Sequence, residues 1–341
     1  MEALVITDIG STEIREVDSP VCDPDGVILS VGHVGLCGSD LNTYSGLNPL
    51  VSLPRIPGHE IGGTIIERGA DVPEAFALGK SAIVIPYTTC GACSSCQADR
   101  PNACRYNRTL GVQQDGGMSA LLKIRHDRLI LNDTLPAPQL SLVEPLSVGF
   151  HAVARGRVAK GETVVVLGGG MIGVGAMLGA LAHDAKVIMV EVSESKRQTL
   201  LDLGAHAVIN PETMDLADQV SKHTDGQGPD VVIEAVGLPQ TFRSAVDLAS
   251  YAGRVVYVGY AKEEVSYNTS LFNLKELDIM GSRNATRTDF EEVITFLESN
   301  PSAGNMLISR TFPWSQAQNS FQHWKENRNE TFKVIIDVTA G

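Results

Sequence analysis

Apolar positions run along the chain in two different rhythms. Up to about residue 145 they form short β-branched runs, such as Val27-Ile28-Leu29 and Ile83-Val84-Ile85, separated by turn signals at Asp25-Gly26 and Asp115-Gly116-Gly117. That texture predicts an irregular, barrel-like β domain. From Thr163 onward, strand-like runs at Val164–Leu167, Val187–Val190, Ala207–Ile209, Val231–Ile233, Val255–Val258 and Leu277–Met280 alternate with helix-like stretches such as Glu194–Leu203 and Thr241–Ala249. Strands alternating with helices predict a doubly wound parallel sheet. The tail loses this alternation and ends in a strand-like run, Lys333–Val338, which is expected to return to the first domain. Neither an internal repeat nor a low-complexity tract interrupts the pattern.

Composition narrows the picture. A chain of 341 residues is too long for one ordinary core, so two domains are expected, and 43% hydrophobic with 20% charged residues is ordinary for a globular protein. A net charge of −13 argues against nucleic acid and against anionic lipid, because phosphate contacts need an excess of Lys and Arg. The first ten residues carry Glu2 and Asp8 and lack a basic region followed by an apolar stretch, so no targeting segment is expected. Thr163 to Ala182 is uncharged and, at about 20 residues, long enough to span a bilayer. Its glycines divide it into a β-branched run and a Gly-rich helix, so a membrane span is rejected. Of six cysteines, Cys90, Cys93, Cys96 and Cys104 crowd together, which reads as metal binding in a reducing, cytoplasmic compartment.

Two kinds of chemistry follow. Gly168, Gly170 and Gly173 supply G-x-G-x-x-G between a predicted strand and a predicted helix, the context in which this motif binds a dinucleotide. Gly168 permits the tight turn, Gly170 the approach of a pyrophosphate, and Gly173 the packing of helix on strand, with the helix N-terminus facing the phosphates. Glu191, 18 residues beyond Gly173, suits the ribose hydroxyls and would repel the extra phosphate of NADP, so NAD is preferred. The plain alternative is an exposed strand end, and Lys196 and Arg197 would soften the preference. The spacing Cys90-x2-Cys93-x2-Cys96-x7-Cys104 suits a closed tetrahedral, structural zinc. An iron–sulfur cluster also uses four cysteines, but this spacing matches neither common ferredoxin pattern. Cys37, His59-Glu60 and Glu144 offer a thiolate, an imidazole and carboxylates for a second zinc with one open position. Singly, each has a bland alternative: a small buried thiol, a core histidine, a helix cap. Spacing alone does not decide.

These residues carry a resemblance. Gly35-Leu36-Cys37-Gly38-Ser39-Asp40, Gly58-His59-Glu60, the four-cysteine segment, Asp115-Gly116-Gly117, Glu144-Pro145 and the glycine turn stand in the order of the zinc-containing medium-chain dehydrogenases. The chain looks closest to the sorbitol, L-idonate and L-galactonate type, because Glu144 stands where simple alcohol dehydrogenases usually carry a cysteine. Gly111–Gly117 and Met280–Thr286 also resemble the sugar-acid enzymes. The resemblance implies a GroES-like β-rich catalytic domain over 1–147 and 283–341, with a structural-zinc lobe at 88–106, and a Rossmann NAD-binding domain over 148–282. It implies two zincs per chain, the catalytic one held by Cys37 and His59 with Glu60 or Glu144 as third ligand, and assembly as a homodimer or homotetramer. Ser39 and Glu144 are the expected proton-handling groups. Met171, Ile172 and Arg283 join the cofactor site, and Tyr44, Met118, Arg283 and Asn284 the substrate site.

Two departures stand out: Asn42 replaces a histidine that helps relay the proton, and Met118 replaces a common phenylalanine. An Arg283 fork suits a substrate carboxylate and hence a sugar acid, although a domain-bridging salt bridge is an equal reading. The competing functions are a threonine-type dehydrogenase and a non-catalytic, zinc-stabilised NAD-binding protein.

Overall fold

The computed structural model describes residues 1–340. They fall into two compact units, Met1–Glu144 with the chain from Leu297 onward, and Pro145–Phe296.

The first unit opens with an antiparallel pair, β1 (Glu2–Asp8) and β2 (Ser11–Glu16), turned at Gly10 with φ +73°. Five further strands follow: β3 (Gly26–Gly35), β4 (Glu60–Arg68), β5 (Ser81–Val84), β6 (Leu121–Arg125) and β7 (Leu129–Leu131). The ten-residue β3 is the hub, pairing antiparallel with both β4 and β6. Register shifts between Ile28 and Leu29 and between Val31 and His33 mark irregularities that bend it. Leu4, Ile6, Leu29, Val34, Ile61 and Ile65 fill the core beneath.

The second unit carries β8 (Thr163–Leu167), β9 (Lys186–Val190), β10 (Ala207–Ile209), β11 (Val231–Glu234), β12 (Arg254–Tyr257) and β13 (Asp278–Gly281). All are parallel and ordered β10-β9-β8-β11-β12-β13. That is the strand order of a dinucleotide-binding doubly wound sheet, as the alternation of runs predicts. Beyond the opening residues Thr163 and Lys186 the central strands are buried, which is why they read as continuous apolar runs. The uncharged stretch 163–182 resolves into β8 and the helix Met171–Ala182, and no helix among the described residues is long and apolar enough to cross a membrane.

After the second unit the chain returns. β14 (Ile308–Pro313) pairs parallel with β15 (Lys333–Asp337), and β15 pairs antiparallel with β3, completing a seven-stranded sheet. The chain crosses between the units at Glu144/Pro145 and at Phe296/Leu297, three and fourteen residues from the expected 147/148 and 282/283. Residues 145–147 and 283–296 pack with the second unit, where His151 Nδ1 lies 2.9 Å from Asp289 Oδ2 and Phe150 meets Phe296 edge to face.

Candidate active site and metal centres

β3 ends at Gly35, and Leu36 leads into Cys37, which caps the short helix Gly38–Tyr44. The Cys37 N–H donates to Asp40 Oδ2 at 2.9 Å, fixing the thiol at the end of the strand. On the neighbouring strand, Gly58 takes φ +96° with Val34 and Met118 too close for any side chain, and His59 and Glu60 follow at the start of β4. Glu60 pairs across the sheet with Gly35. A Cβ on Gly35 would lie 2.1 Å from Glu60 Oε2, so glycine there makes the space in which the carboxylate lies. Strand pairing thus brings together ligand atoms of Cys37, His59 and Glu60, all within 4.8 Å of one another.

Their surroundings favour a cation. His59 is buried, which opposes a charged ring, yet Cys37 and Asp40 outweigh burial and hold its pKa well above the ordinary value. Its Nδ1 is buried with no hydrogen-bond partner and lies 3.9 Å from Asp40 Oδ1. Glu144, near the start of the helix Val143–Gly156, stands outside the three-residue cluster but is electrostatically coupled to it. Burial raises its carboxyl to about 7, with His59 opposing the rise and Glu60 adding to it. The buried Tyr87 hydroxyl donates to Glu144 Oε1, and burial together with that carboxylate keeps the phenol protonated. Lys333, from β15, bonds both oxygens of Glu60 and the carbonyl of Leu36. A thiol, an imidazole and a carboxylate whose ligand atoms converge in this way fit zinc, with bonds of about 2.0–2.3 Å.

The second cluster occupies a lobe with little regular structure, one helical turn at Ser94–Gln97 and one 3-10 turn at Pro101–Ala103. Four Sγ atoms, of Cys90, Cys93, Cys96 and Cys104, lie within 4.8 Å of one another, and all four thiols are free of disulfides. Backbone N–H groups point at the sulfurs, from Cys90 to Cys104 at 3.4 Å and from Cys93 to Cys90 at 3.3 Å. The Ser95 hydroxyl and the backbone N–H groups of Cys96 and Arg105 lower the Cys93 thiol to about 5. Four thiols converging in this way, on N–H donors that favour thiolate, fit a closed tetrahedral metal.

In the second unit, β8 runs into Gly168 at φ +101°, and Gly170 caps the helix Met171–Ala182. A Cβ on Gly173 would fall 1.8 Å from Gly168 O, whereas one on Gly170 meets nothing within 4 Å. The helix therefore sits tightly on the turn, while the face in front of Gly170 stays open, as a bound pyrophosphate requires. Met171 and Ile172 form the first helical turn. Glu191 follows β9 and accepts from the N–H groups of Gly169 at 2.8 Å and Ser193 at 2.7 Å. Arg197, expected to soften the cofactor preference, is paired with Glu194.

The remaining expected residues fall in three places. Ser39 Oγ is buried with no hydrogen-bond partner, two residues from Cys37. Tyr44 and Met118, expected at the substrate pocket, are packed in the first unit's core, Met118 at 0% exposure and Tyr44 stacked on Phe321 with centroids 5.1 Å apart. Arg283 is exposed just after β13, and Asn284 beside it takes φ +51°. Tyr87, Asp40 and Lys333 are the residues that sequence reasoning missed. A lone lysine opening an otherwise apolar strand was the one available signal.

Comparison with known proteins agrees with this geometry. The family described as alcohol dehydrogenase GroES-like domain matches residues 23–135, and that described as zinc-binding dehydrogenase matches residues 172–299. The chain is 32% identical to the 2-dehydro-3-deoxy-L-galactonate 5-dehydrogenase of Pseudoalteromonas atlantica over 97% of this chain and 98% of that one. It is 31% identical to the sorbitol dehydrogenase of Bacillus subtilis over 98% and 97%. An Escherichia coli alcohol dehydrogenase solved with NADH superposes with TM-score 0.91 at 26% identity, covering 99% of each chain. A zinc-binding dehydrogenase from Sinorhizobium meliloti solved with NADP does so with TM-score 0.88 at 27% identity, covering 98% of each. With two converging ligand clusters and full-length likeness to such enzymes, the chain belongs to the zinc-type polyol dehydrogenase family, oxidoreductases that act on CH–OH donors.

Proposed function

We propose that the protein oxidises a secondary hydroxyl of a sugar acid, with NAD as hydride acceptor. The observation that carries the reading is the buried convergence of Cys37, His59 and Glu60. Cys37 and His59 would hold the catalytic zinc, with Glu60 or Glu144 as third ligand, and the four cysteines of the lobe a structural zinc. Bound zinc supplies Lewis acidity, which lowers the pKa of a hydroxyl and stabilises the negative charge left on its oxygen.

This chain's own side chains do the rest. Asp40 positions Cys37 through its backbone N–H, and the sheet holds His59 beside it. Ser39, whose buried hydroxyl has no other partner, passes the substrate proton outward. Asn42 cannot act as a base near neutral pH, so release runs through Ser39 or Glu144. Glu144, bonded to the buried Tyr87 hydroxyl, is the carboxylate available for such exchange when Glu60 is the third ligand.

A panel of hexonates, neutral polyols and L-threonine, each with NAD and NADP, tests the substrate class. Turnover of L-threonine above every hexonate would overturn the sugar-acid reading. The chain's likeness to a galactonate-type enzyme supports an acid, and Arg283 is the side chain suited to grip its carboxylate. Arg283→Ala is expected to raise KM for a hexonate about tenfold or more, the worth of a charge-assisted bond, and to leave KM for sorbitol nearly unchanged. Equal effects on both substrates would discard the role.

Preference for NAD rests on Glu191. Its replacement by alanine removes a negative charge that would face the extra phosphate of NADP. The ratio of kcat/KM for NADP over NAD is expected to rise at least about tenfold. NAD itself should bind less well, because Gly169 and Ser193 lose the acceptor that orders the turn.

A further inference from the structure

Glu234 ends β11 and is fully buried. Its Oε1 gathers three donors: the N–H groups of Val236 at 2.9 Å and Gly237 at 2.8 Å, and the Thr241 hydroxyl at 2.7 Å. Its backbone carbonyl accepts from the N–H groups of Val258 at 2.9 Å and Gly259 at 3.1 Å. One residue therefore ties together the loops that leave β11 and β12. Oε2 has no hydrogen-bond partner among the described residues and is turned toward Gly259, where a Cβ would overlap it and fall 2.5 Å from the Gly237 nitrogen. An acceptor buried without a donor costs stability, and such exceptions gather where a fold serves a ligand.

The sheet order says which ligand. β8 stands between β9 and β11, so the glycine turn lies where the strand order reverses, at the crevice that holds a dinucleotide. With the pyrophosphate at Gly168–Gly173 and one ribose at Glu191 beyond β9, the second nucleoside extends the other way, along the ends of β11 and β12. Glu234 pairs with Leu167, the last residue before Gly168, and a Cβ on Gly168 would lie 2.7 Å from Val236 Cγ2. The two loops expose Val236, Leu238 and Tyr260, apolar surface suited to a flat ring.

We propose that Glu234 is a positioning residue for the nicotinamide half of the cofactor. It holds the loops after β11 and β12 in the shape that this half binds, and it leaves the adenosine half untouched. The inference rests on the dinucleotide reading of the glycine turn.

Calorimetry with NADH, and with ADP as a probe of the adenosine and pyrophosphate alone, tests both. A parent chain that binds neither defeats the dinucleotide reading. One that binds ADP as tightly as NADH defeats this proposal alone, because the second half then contributes nothing. In Glu234→Ala the loops lose their common anchor and hold the binding shape only a fraction of the time. The Kd of NADH is expected to rise about tenfold or more, while that of ADP stays at the parent's value. A residue that served the fold at large would weaken both ligands together. Gly259→Ala presses a methyl group against the same carboxylate from the other loop and should show the same split; should Glu234→Ala not fold, it decides alone. Parent-like NADH binding in a folded variant, or equal losses for NADH and ADP, overturns the proposal.

Discussion

Cys37→Ser is expected to lower kcat/KM about a thousandfold or more while removing one of the two zincs proposed per chain and sparing the fold. The size follows from the chemistry lost. Removing a single donor to a developing oxyanion costs about 10²–10³ in rate, and here the loss extends to the ion that acidifies the substrate hydroxyl. The selectivity follows from the structure. Cys37 caps its helix through its backbone N–H to Asp40, a bond that serine keeps. Leu36 remains fully buried, and the register of β3 against β4 does not involve the sulfur. Serine offers a hydroxyl that does not ionise near neutral pH, so the soft thiolate ligand is lost. Metal analysis beside steady-state kinetics checks the claim. Two tightly held zincs and parent-like turnover in this variant would show that the thiol is a packing residue.

The legibility of this chain divides by the range of the interaction. Strands buried on both faces must be apolar throughout, so β8, β9 and β11 announce themselves, and the glycines of the turn between β8 and its helix are required by contacts only a few residues apart. The four-cysteine lobe is equally local. The catalytic cluster is half local: Cys37 and His59 carry recognisable neighbours, but what surrounds them is fixed by sheet topology. Lys333 reaches Glu60 across 273 positions only because β15 returns to pair with β3. The strand-like run at Lys333–Val338 announces the return to the first domain, but no pattern around residue 333 encodes the register that sets this lysine beside Glu60. The burial of Tyr44 and Met118 in the first unit's core is equally illegible, because motif neighbourhood says nothing of which way a side chain faces. Glycine carries more of the site than its motif suggests: Gly35 is read as part of a ligand signature, yet its physical task is to leave room for a carboxylate from the next strand.

Cys104→Ser is expected to open the lobe without unfolding the rest of the chain. Between Thr88 and Tyr106 the regular structure amounts to one four-residue helix and one three-residue turn. Of the lobe's side chains, those of Asn102 and Cys104 are buried, so apolar burial contributes little to holding it. What remains is the convergence of four sulfurs, and binding of structural zinc to such a set is worth about 10–16 kcal/mol in isolated peptides. That free energy becomes local folding free energy, because the thiols have no fixed arrangement once the lobe opens. Cys104 is the central thiol: it accepts from the Cys90 N–H and lies 3.9 Å from the Cys93 sulfur. Its loss leaves three thiol ligands. Arg105 is exposed within the lobe and gives trypsin a place to cut, whereas Arg100 precedes Pro101 and its bond resists trypsin. Cleavage there is expected to quicken about a hundredfold or more, since it tracks the population of the open form, while the Cys37 site keeps its zinc. Unchanged resistance to trypsin after loss of one zinc would mean that the lobe is held by its contacts with the β domain and not by the metal.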